Sequence, residues 1–578
     1  MARQVIEWDN WISHDLGRRA PQAYHYGRRK LSASYSHWRG LNVVRYLNGS
    51  IGPRPPFATV TRLPNSPPSQ PWGGSIVAAL WVGGLRQVCL IMSNGDVWHA
   101  GDFSTEPGNI TWVFFGNLGF VPSVACVNGL GVMVGSLTVQ SGGNPNTCFA
   151  AFVDIANNVI TPITGMPICN LMVSYQQFIV VGNTLFSSGN TSTLFFSDLP
   201  ANINDTPGLS WTAAQANGVG VVGIGTAEPV SGLFTQKDTL VIPKQGGEWY
   251  TLTGIPSGPP IIRRIDVGLD FRGVGGPVRQ SNIWYPNGRD IGVFTGSAVQ
   301  VDDLPDYDDL GSTSKYDYNH LTGLCQLSQA DEFLLMGTAL NDVGDQVVWA
   351  FIRHGLAGVA TSTGWSRHVL QYEPNHTVQA PTPIPVYVGD SVAWIFLQAA
   401  ADHPVDVFQF DIRQEIPYQK TWNTGANFPH GNPEALYADA QAGTVVNGFL
   451  SIPEWWSPDG HNAQVHEIFV DLDYDGAAWQ NASDAGIDPS RVVGFDVTVD
   501  ALNLKGADNS RSSFALPWGP PDIVRPVPTS NTNMIRTRAY LRVGDQGASS
   551  GFRINLTNMR GVQVYRILAT VDVSVSEP

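Results

Sequence analysis

Charge is scarce in this chain of 578 residues: Asp, Glu, Lys and Arg make up 14%, against roughly 25% in an average soluble protein. The balance is acidic, with a formal net charge of −15. A sequence-independent DNA binder needs concentrated positive charge to displace counterions, so the body of the chain is not built to grasp DNA. An acidic wall would instead repel phosphates and let a duplex pass without sticking. Long apolar runs are also missing. No stretch of about 18 uninterrupted apolar residues occurs, so no membrane insertion by a helix is expected. The opening MARQVIEWDNWISHDLGRR is polar and aromatic and does not read as a secretory signal. The five cysteines (Cys89, Cys126, Cys148, Cys169 and Cys325) show no CxxC spacing. That gives little support to a zinc site or a redox pair and suits buried, reduced thiols in a protein folded in a cytoplasm.

Catalytic signatures are lacking too. There is no sialidase-type Asp-box (SNGDVW at 93–98 is only superficially similar), no G-x-S-x-G elbow, no HExxH helix and no P-loop. The expectation is a non-enzyme with no catalytic residue, cofactor or metal, although isolated acids such as Glu248 and Asp266 leave room for a pair brought together by folding. Asp471-Leu-Asp473-Tyr-Asp475-Gly476 copies the first half of a calcium loop, but Ala482 stands where the pattern needs Glu.

Gly (61), Pro (40) and Trp (18) are plentiful, a mixture that favours short strands and tight turns over helices. The length predicts roughly two to four domains. Residues 1–60 hold nine Lys/Arg against three acids, a net of +6, so the remainder carries −15 − 6 = −21; this basic segment reads as an extended N-terminal docking arm. From 61 to 420, runs of strand length such as SIVAALWV, GLGVMVGSL and QVVWAFIR are broken by Gly, Asn, Asp or Pro, with Asn94–Gly95 and Asn287–Gly288 as hairpin turns. Units recurring every 40 to 50 residues or so predict an all-β propeller of about six to seven degenerate blades. The small-residue–Trp pairs Thr111–Trp112, Ser210–Trp211 and Gly364–Trp365 are candidates to close outer strands. From 421 to 578 the texture becomes period-two alternation, as in Phe495-x-Val497-x-Val499, which predicts a C-terminal β-sandwich or jelly-roll-like domain.

Two segments carry a resemblance. WRGLNVVRYLNGSIGPRPPF (38–57), with Asn42, Gly49, Arg54 and Pro55, resembles the N-terminal signature of the tail hub or nozzle proteins of short-tailed double-stranded-DNA bacteriophages. Residues 233–301 are similar to the most recognisable region of the same family, with matches at Leu240, Trp249, Leu252, Thr253, Gly254, Arg264, Gly268, Gly276, Trp284, Tyr285, Phe294 and Gly296. Together they cover about 90 residues. The resemblance implies a virion structural protein, assembled in the host cytoplasm, that forms a homo-oligomeric (usually hexameric) ring in the viral tail. The ring would sit below portal and adaptor, near the fibres, with DNA retained and ejected along its axis.

Within that reading Arg18, Arg19, Arg28, Arg29, Arg45 and Arg54 are the candidate docking residues, because the arginine fork suits interfaces. Asp302, Asp303, Asp306, Asp308 and Asp309 form either a solvated loop, a metal-binding loop or an acidic lumen loop that repels DNA. Two alternatives stay open: a receptor-reading tail-tip protein that stacks glycan on Trp455–Trp456, and a capsule depolymerase.

Overall fold

The computed structural model describes 2–8, 39–45, 50–54, 58–62, 75–100, 112–140, 147–182, 192–202, 205–211, 221–254, 260–266, 276–278, 282–287, 290–296, 299–303, 321–326, 333–340, 346–356, 359–370, 379–386, 392–398, 406–410, 448–452, 455–457, 462–484, 486–502, 513–518, 534–543 and 549–574. The chain is nearly all strand. Six consecutive four-stranded antiparallel meanders run from Ile76 to Leu370. Blade I comprises Ile76–Val82, Gln87–Met92, Asp96–Ala100 and Trp112–Asn117. Blade II comprises Val124–Asn128, Gly131–Gly135, Ala150–Asp154 and Val159–Ile163. Blade III spans Leu171–Tyr175 to Val221–Gly223, blade IV Phe234–Gln236 to Ile261–Asp266, blade V Gly276–Val278 to Val299–Asp303, and blade VI Leu321–Gln326 to Val359–Leu370.

Blade VII is built from both ends of this region. Gln379–Val386, Val392–Gln398 and Asp406–Phe410 supply three strands, and Ala58–Arg62 pairs antiparallel with Asp406–Phe410 as the fourth. The first strand of each blade lies against the first strand of the next, and that of blade VII lies against that of blade I. The ring is closed. Seven blades therefore surround one axis, and the early strand Ala58–Arg62 covers an edge that would otherwise be unpaired.

The expected C-terminal sandwich is present, but the sequence division at 60 is crossed. One sheet runs Val43–Arg45, Ile51–Pro53, Val562–Ser574, Asn462–Asp475, Met534–Arg542, with Ala2–Trp8 also on Val562–Ser574. The other begins on the last strand of blade VI. Leu41 of Arg39–Leu41 pairs in parallel with Arg367, and the same short strand pairs antiparallel with Gly448–Ser451. The sheet continues through Gly551–Arg560 and Gly494–Leu502 to Ser513–Trp518. Propeller and sandwich thus share one sheet.

Alternation fills the space between the two layers. Ile468, Val470 and Leu472 point inward, as do Val497, Val499, Ile554, Leu556, Ile567 and Ala569, all almost fully buried. Among the described residues one α-helix, Gly476–Asp484, sits at the end of Asn462–Asp475, where the Asp475 carboxylate accepts the N–H of Ala478 at 2.9 Å. Ala2–Trp8 is no free arm. Its Trp8 is 8% exposed and meets the Phe552 ring edge-on at 6.3 Å.

Truncating Trp8 removes a large ring from this core. The Trp8→Ala chain should lose about 3–5 kcal/mol of sandwich stability, read as a shift of a urea unfolding midpoint, while a double substitution at exposed Gln4 and Val5 should lose far less.

Candidate assembly interface

The first signature segment serves the junction between chain start and sandwich. Asn42 adopts φ 57°, a left-handed conformation that Asn tolerates better than most residues, and its carbonyl accepts the Arg54 N–H at 2.7 Å. That bond ties the hairpin Val43–Arg45/Ile51–Pro53 shut. Gly52 lies against the main chain of Val562 so closely that a Cβ would overlap the carbonyl oxygen. Beside it, Ser50 Oγ donates to Gln563 Oε1 at 3.2 Å.

Here the docking expectation needs correction. Arg54 is 1% exposed, so its guanidinium is spent inside the sandwich and is not offered to another subunit. Arg45 lies on the strand Val43–Arg45, with only its main chain described. Arg18, Arg19, Arg28, Arg29 and Gly49 lie outside the described residues.

The second signature segment builds the contact between blades IV and V. Trp249 is fully buried, 4.8 Å from the Tyr285 ring and 5.1 Å from that of Phe294, with Val241 and Ile283 completing the cluster. Gly292 leaves room for the Tyr285 ring, which a Cβ there would overlap. Gly254 and Gly296 turn the chain at φ 98° and 103°, and the Gly254 carbonyl accepts from Tyr175 OH of blade III at 3.4 Å. Trp284 lies on Asn282–Asn287 with only its main chain described, and Gly268 lies outside the described residues.

Signature residue Arg264 pairs with Glu248 at 2.9 Å. Glu248 also accepts from Tyr250 OH at 2.9 Å and Thr226 Oγ1 at 3.0 Å. These bonds, the Tyr250 one foremost, hold its carboxyl below the usual range. The strand register does set Glu248 opposite Asp266. A glycosidase pair needs one carboxyl held protonated and one ionised, and Glu248 is biased toward the ionised form. Nearby lies a buried cation that no motif announces. Lys244 is fully buried, and its Nζ donates to the carbonyls of Ile224 (2.7 Å) and Thr226, clamping the III–IV crossing to a blade IV turn. Burial lowers its pKa, and Glu248 and Glu228 oppose that shift.

Other expectations fall out variously. Asp302 and Asp303 end Val299–Asp303, paired with Ile291 and Asp290, while Asp306, Asp308 and Asp309 lie outside the described residues. Trp112 opens the outer strand of blade I and Trp365 lies on that of blade VI, but Trp211 is on no strand. It is buried in the core of blades II and III, with Nε1 donating to Gly208 at 2.8 Å. Trp455 packs on Phe552 at 5.2 Å beside the sandwich core, and of Trp456 only the main chain is described. In SNGDVW, Asp96 accepts from Asn94 (2.8 Å) and Asn117 (2.7 Å), which staples a turn.

The broad exposed face described in full is the outer side of the sandwich sheet bearing Ala2–Trp8. Rows of charge cross it. Asp471 meets Arg538 on one neighbouring strand and Arg566 (2.6 Å) on the other, and Arg566 reaches Glu7 at 2.9 Å. Asp473 pairs with Arg536, whose guanidinium stacks 3.8 Å from the Tyr565 ring. Asp572 holds Arg3 at 3.1 Å and His466 at 2.7 Å. Between the rows, Phe469 lies 5.1 Å from Tyr540, which is 52% exposed. The calcium-loop reading fails on this geometry: Asp471 and Asp473 answer arginines, and Asp475 caps the helix. Among the described residues no group of three or more His, Cys, Asp or Glu could hold a metal ion, and no helix is long and apolar enough to cross a membrane.

No family model matches the chain, and no curated protein matches it. Solved structures that resemble it include the Neurospora crassa Pan2 WD40 domain (10% identity, TM-score 0.38, 62% of this chain and 96% of that one). Another is BBS1N in its complex with ARL6DN (11% identity, TM-score 0.35, 62% and 97%). The propeller assignment rests on the strand pairing above.

Two outcomes follow from this geometry. Adding a methyl at Gly292 should cost about 1–3 kcal/mol, seen as a lower thermal midpoint for Gly292→Ala. Arg538 and Arg566 hold the Asp471 carboxyl below its ordinary range, mainly through hydrogen bonds. Its contribution is therefore present above the unfolded value near roughly pH 4 and lost as pH falls through the folded pKa. Asp471→Asn should accordingly lower the urea midpoint at pH 7, with the difference from the parent shrinking progressively as pH is lowered below about 4.

Proposed function

We propose that the chain is a structural subunit of a short-tailed bacteriophage tail, part of a hub or nozzle ring through which the genome is retained and ejected. The observation that carries this reading is the single strand Arg39–Leu41, which joins the outer edge of blade VI to the sandwich and makes two bodies one continuous sheet. A block whose halves are fixed to each other through backbone hydrogen bonds keeps its wedge angle. Identical wedges joined head to tail close into a ring only if that angle is constant.

The signature residues support the same reading by where they fall. Asn42 and Arg54 seat the start of the chain in the sandwich, and Trp249, Tyr285 and Phe294 fill the junction of blades IV and V. Those signature side chains that are described are spent on rigidity. Portal or adaptor above, fibres beside and DNA along the axis are the partners of such a ring, in a virion tail assembled in the host cytoplasm. The exposed face of paired rows, with Tyr540 and Phe469 between them, is a surface on which a neighbouring subunit can rest without leaving a charge unpaired.

Purified chain examined by native mass measurement and negative-stain electron microscopy should form closed rings, with six copies expected, alone or on addition of portal and adaptor. Persistent monomers under both conditions would refute the ring. Turnover of host capsule by the same sample would redirect the assignment to a depolymerase.

A further inference from the structure

Charge is spread unevenly around the propeller. Residues 107–197 take in the outer strand of blade I, all of blade II and three strands of blade III. Asp154 is the single Asp, Glu, Lys or Arg among them, where the chain's overall 14% would place about a dozen. That one carboxylate is spent within its own turn, accepting the Asn157 N–H at 3.0 Å and its side-chain amide at 2.8 Å. The stretch is not simply interior. Val113, Phe114, Val121 and Val159 stand 39% to 60% exposed along it.

The outer strands of blades I and II, Trp112–Asn117 and Val159–Ile163, form one rim. A Cβ at Gly116 would stand 3.1 Å from Ile160 Cδ1, and Phe114 is braced by the edge-on Trp98 ring at 5.0 Å. Among the described residues each strand pairs only inward, with Asp96–Ala100 and Ala150–Asp154. Exposed outer strands are ordinarily guarded by charge, and here the guard is missing. Such a surface marks contact with another macromolecule. Without cations it has nothing to hold the phosphates of nucleic acid. Without charge of either sign it suits a partner whose own charges are already answered, because an ion buried without its counter-ion is costly. The outer face of the sandwich sheet meets that condition: Asp471, Asp473 and Asp572 each pair with an arginine of the same sheet, and Val5 and Tyr540 stand exposed beside them.

We propose that the charge-free rim of blades I and II on one copy seats on the sandwich face of the next copy, and that this contact closes the ring. It rests on the ring reading above and names the two surfaces such a ring uses. Placement agrees with it. The sandwich is continuous with blade VI, and blades I and II follow two and three places further round the ring of blades. The two surfaces therefore lie on different sides of the subunit, as a head-to-tail contact requires. A rim that met its own counterpart on a second copy would stop at a dimer.

Full-length chain carrying the photocrosslinker p-benzoylphenylalanine in place of Val159, irradiated after assembly with or without portal and adaptor, tests the contact directly. The expected result is a crosslink between two copies that joins position 159 to a peptide from Ala2–Trp8, Asn462–Asp475, Met534–Arg542 or Val562–Ser574. Val113→Lys combined with Val159→Lys, both at exposed positions, should lower the assembled fraction at least about tenfold without moving the thermal midpoint of the monomer. Ile261→Lys, exposed on the outer strand of blade IV, should leave assembly intact. Rings that form while the crosslink lands on 112–163 of a second copy, on portal, adaptor or lipid, or nowhere, would overturn the proposal and leave the ring standing. Rings at parental yield from the double lysine variant would do the same. A parent chain that never forms rings removes the ring reading itself, and this contact with it. Because the crosslink is read on assembled rings, misfolding of a lysine variant does not remove the test.

Discussion

An unpaired strand edge is the problem that organises this molecule. A sheet edge exposes N–H and C=O groups that pair with whatever strand arrives, and a propeller joined to a sandwich has several. The N-terminal segment meets three of them in turn. Ala58–Arg62 closes blade VII, Arg39–Leu41 bridges blade VI to the second sandwich sheet, and Ala2–Trp8 lies along the last strand of the chain, Val562–Ser574. Chain start and chain end become neighbours. The ring of blades cannot open, and the sandwich cannot separate, without breaking strand pairs made by the first 62 residues.

Pairing fixes direction, and side chains then fix distance. Between blades the filler is aromatic and sulfur-rich: Trp249 with Tyr285 and Phe294 at one junction, Trp211 with Cys148, Cys169 and Met166 at another. Large flat or adaptable side chains suit the tapered gap between twisted sheets. On the sandwich the outer face uses the strand period differently. Each carboxylate stands across from an arginine on a neighbouring strand, so charge is carried in register with the hydrogen bonds beneath it. Exposed pairs of this kind add little stability singly. Their effect lies in register, because a slip of one residue would turn Arg538 toward the core and bring Ala539 out.

Much of the propeller was legible because its signals are local. Strand length, Asn94–Gly95 and the alternation of Phe495, Val497 and Val499 are read within a few residues, and the seven blades fall within the six or seven expected. What escaped was non-local. Three-residue strands such as Arg39–Leu41 have no period to detect, and their partners lie hundreds of positions away. The basic composition of residues 1–60 suggested an arm for another subunit, yet in the described part Arg3 answers Asp572 and Arg54 is buried. Similarly, Asp471-x-Asp473-x-Asp475 looked like one ligand set. Asp471 and Asp473 stand on a strand face, whereas the strand ends at Asp475 and gives way to a helix that its carboxylate caps.

Blade VI carries the longest strands of the propeller. Its third and fourth strands, Gln346–Leu356 and Val359–Leu370, run 11 and 12 residues, against three to seven in blades I to V. At about 3.3 Å per residue they extend well past their neighbours. It is the fourth of these strands that accepts Arg39–Leu41 in parallel. The contact falls within the body of the blade, where Arg367 stands opposite Phe351 and Phe351 opposite Leu335, so a force applied to the sandwich passes into the ring of blades through backbone hydrogen bonds.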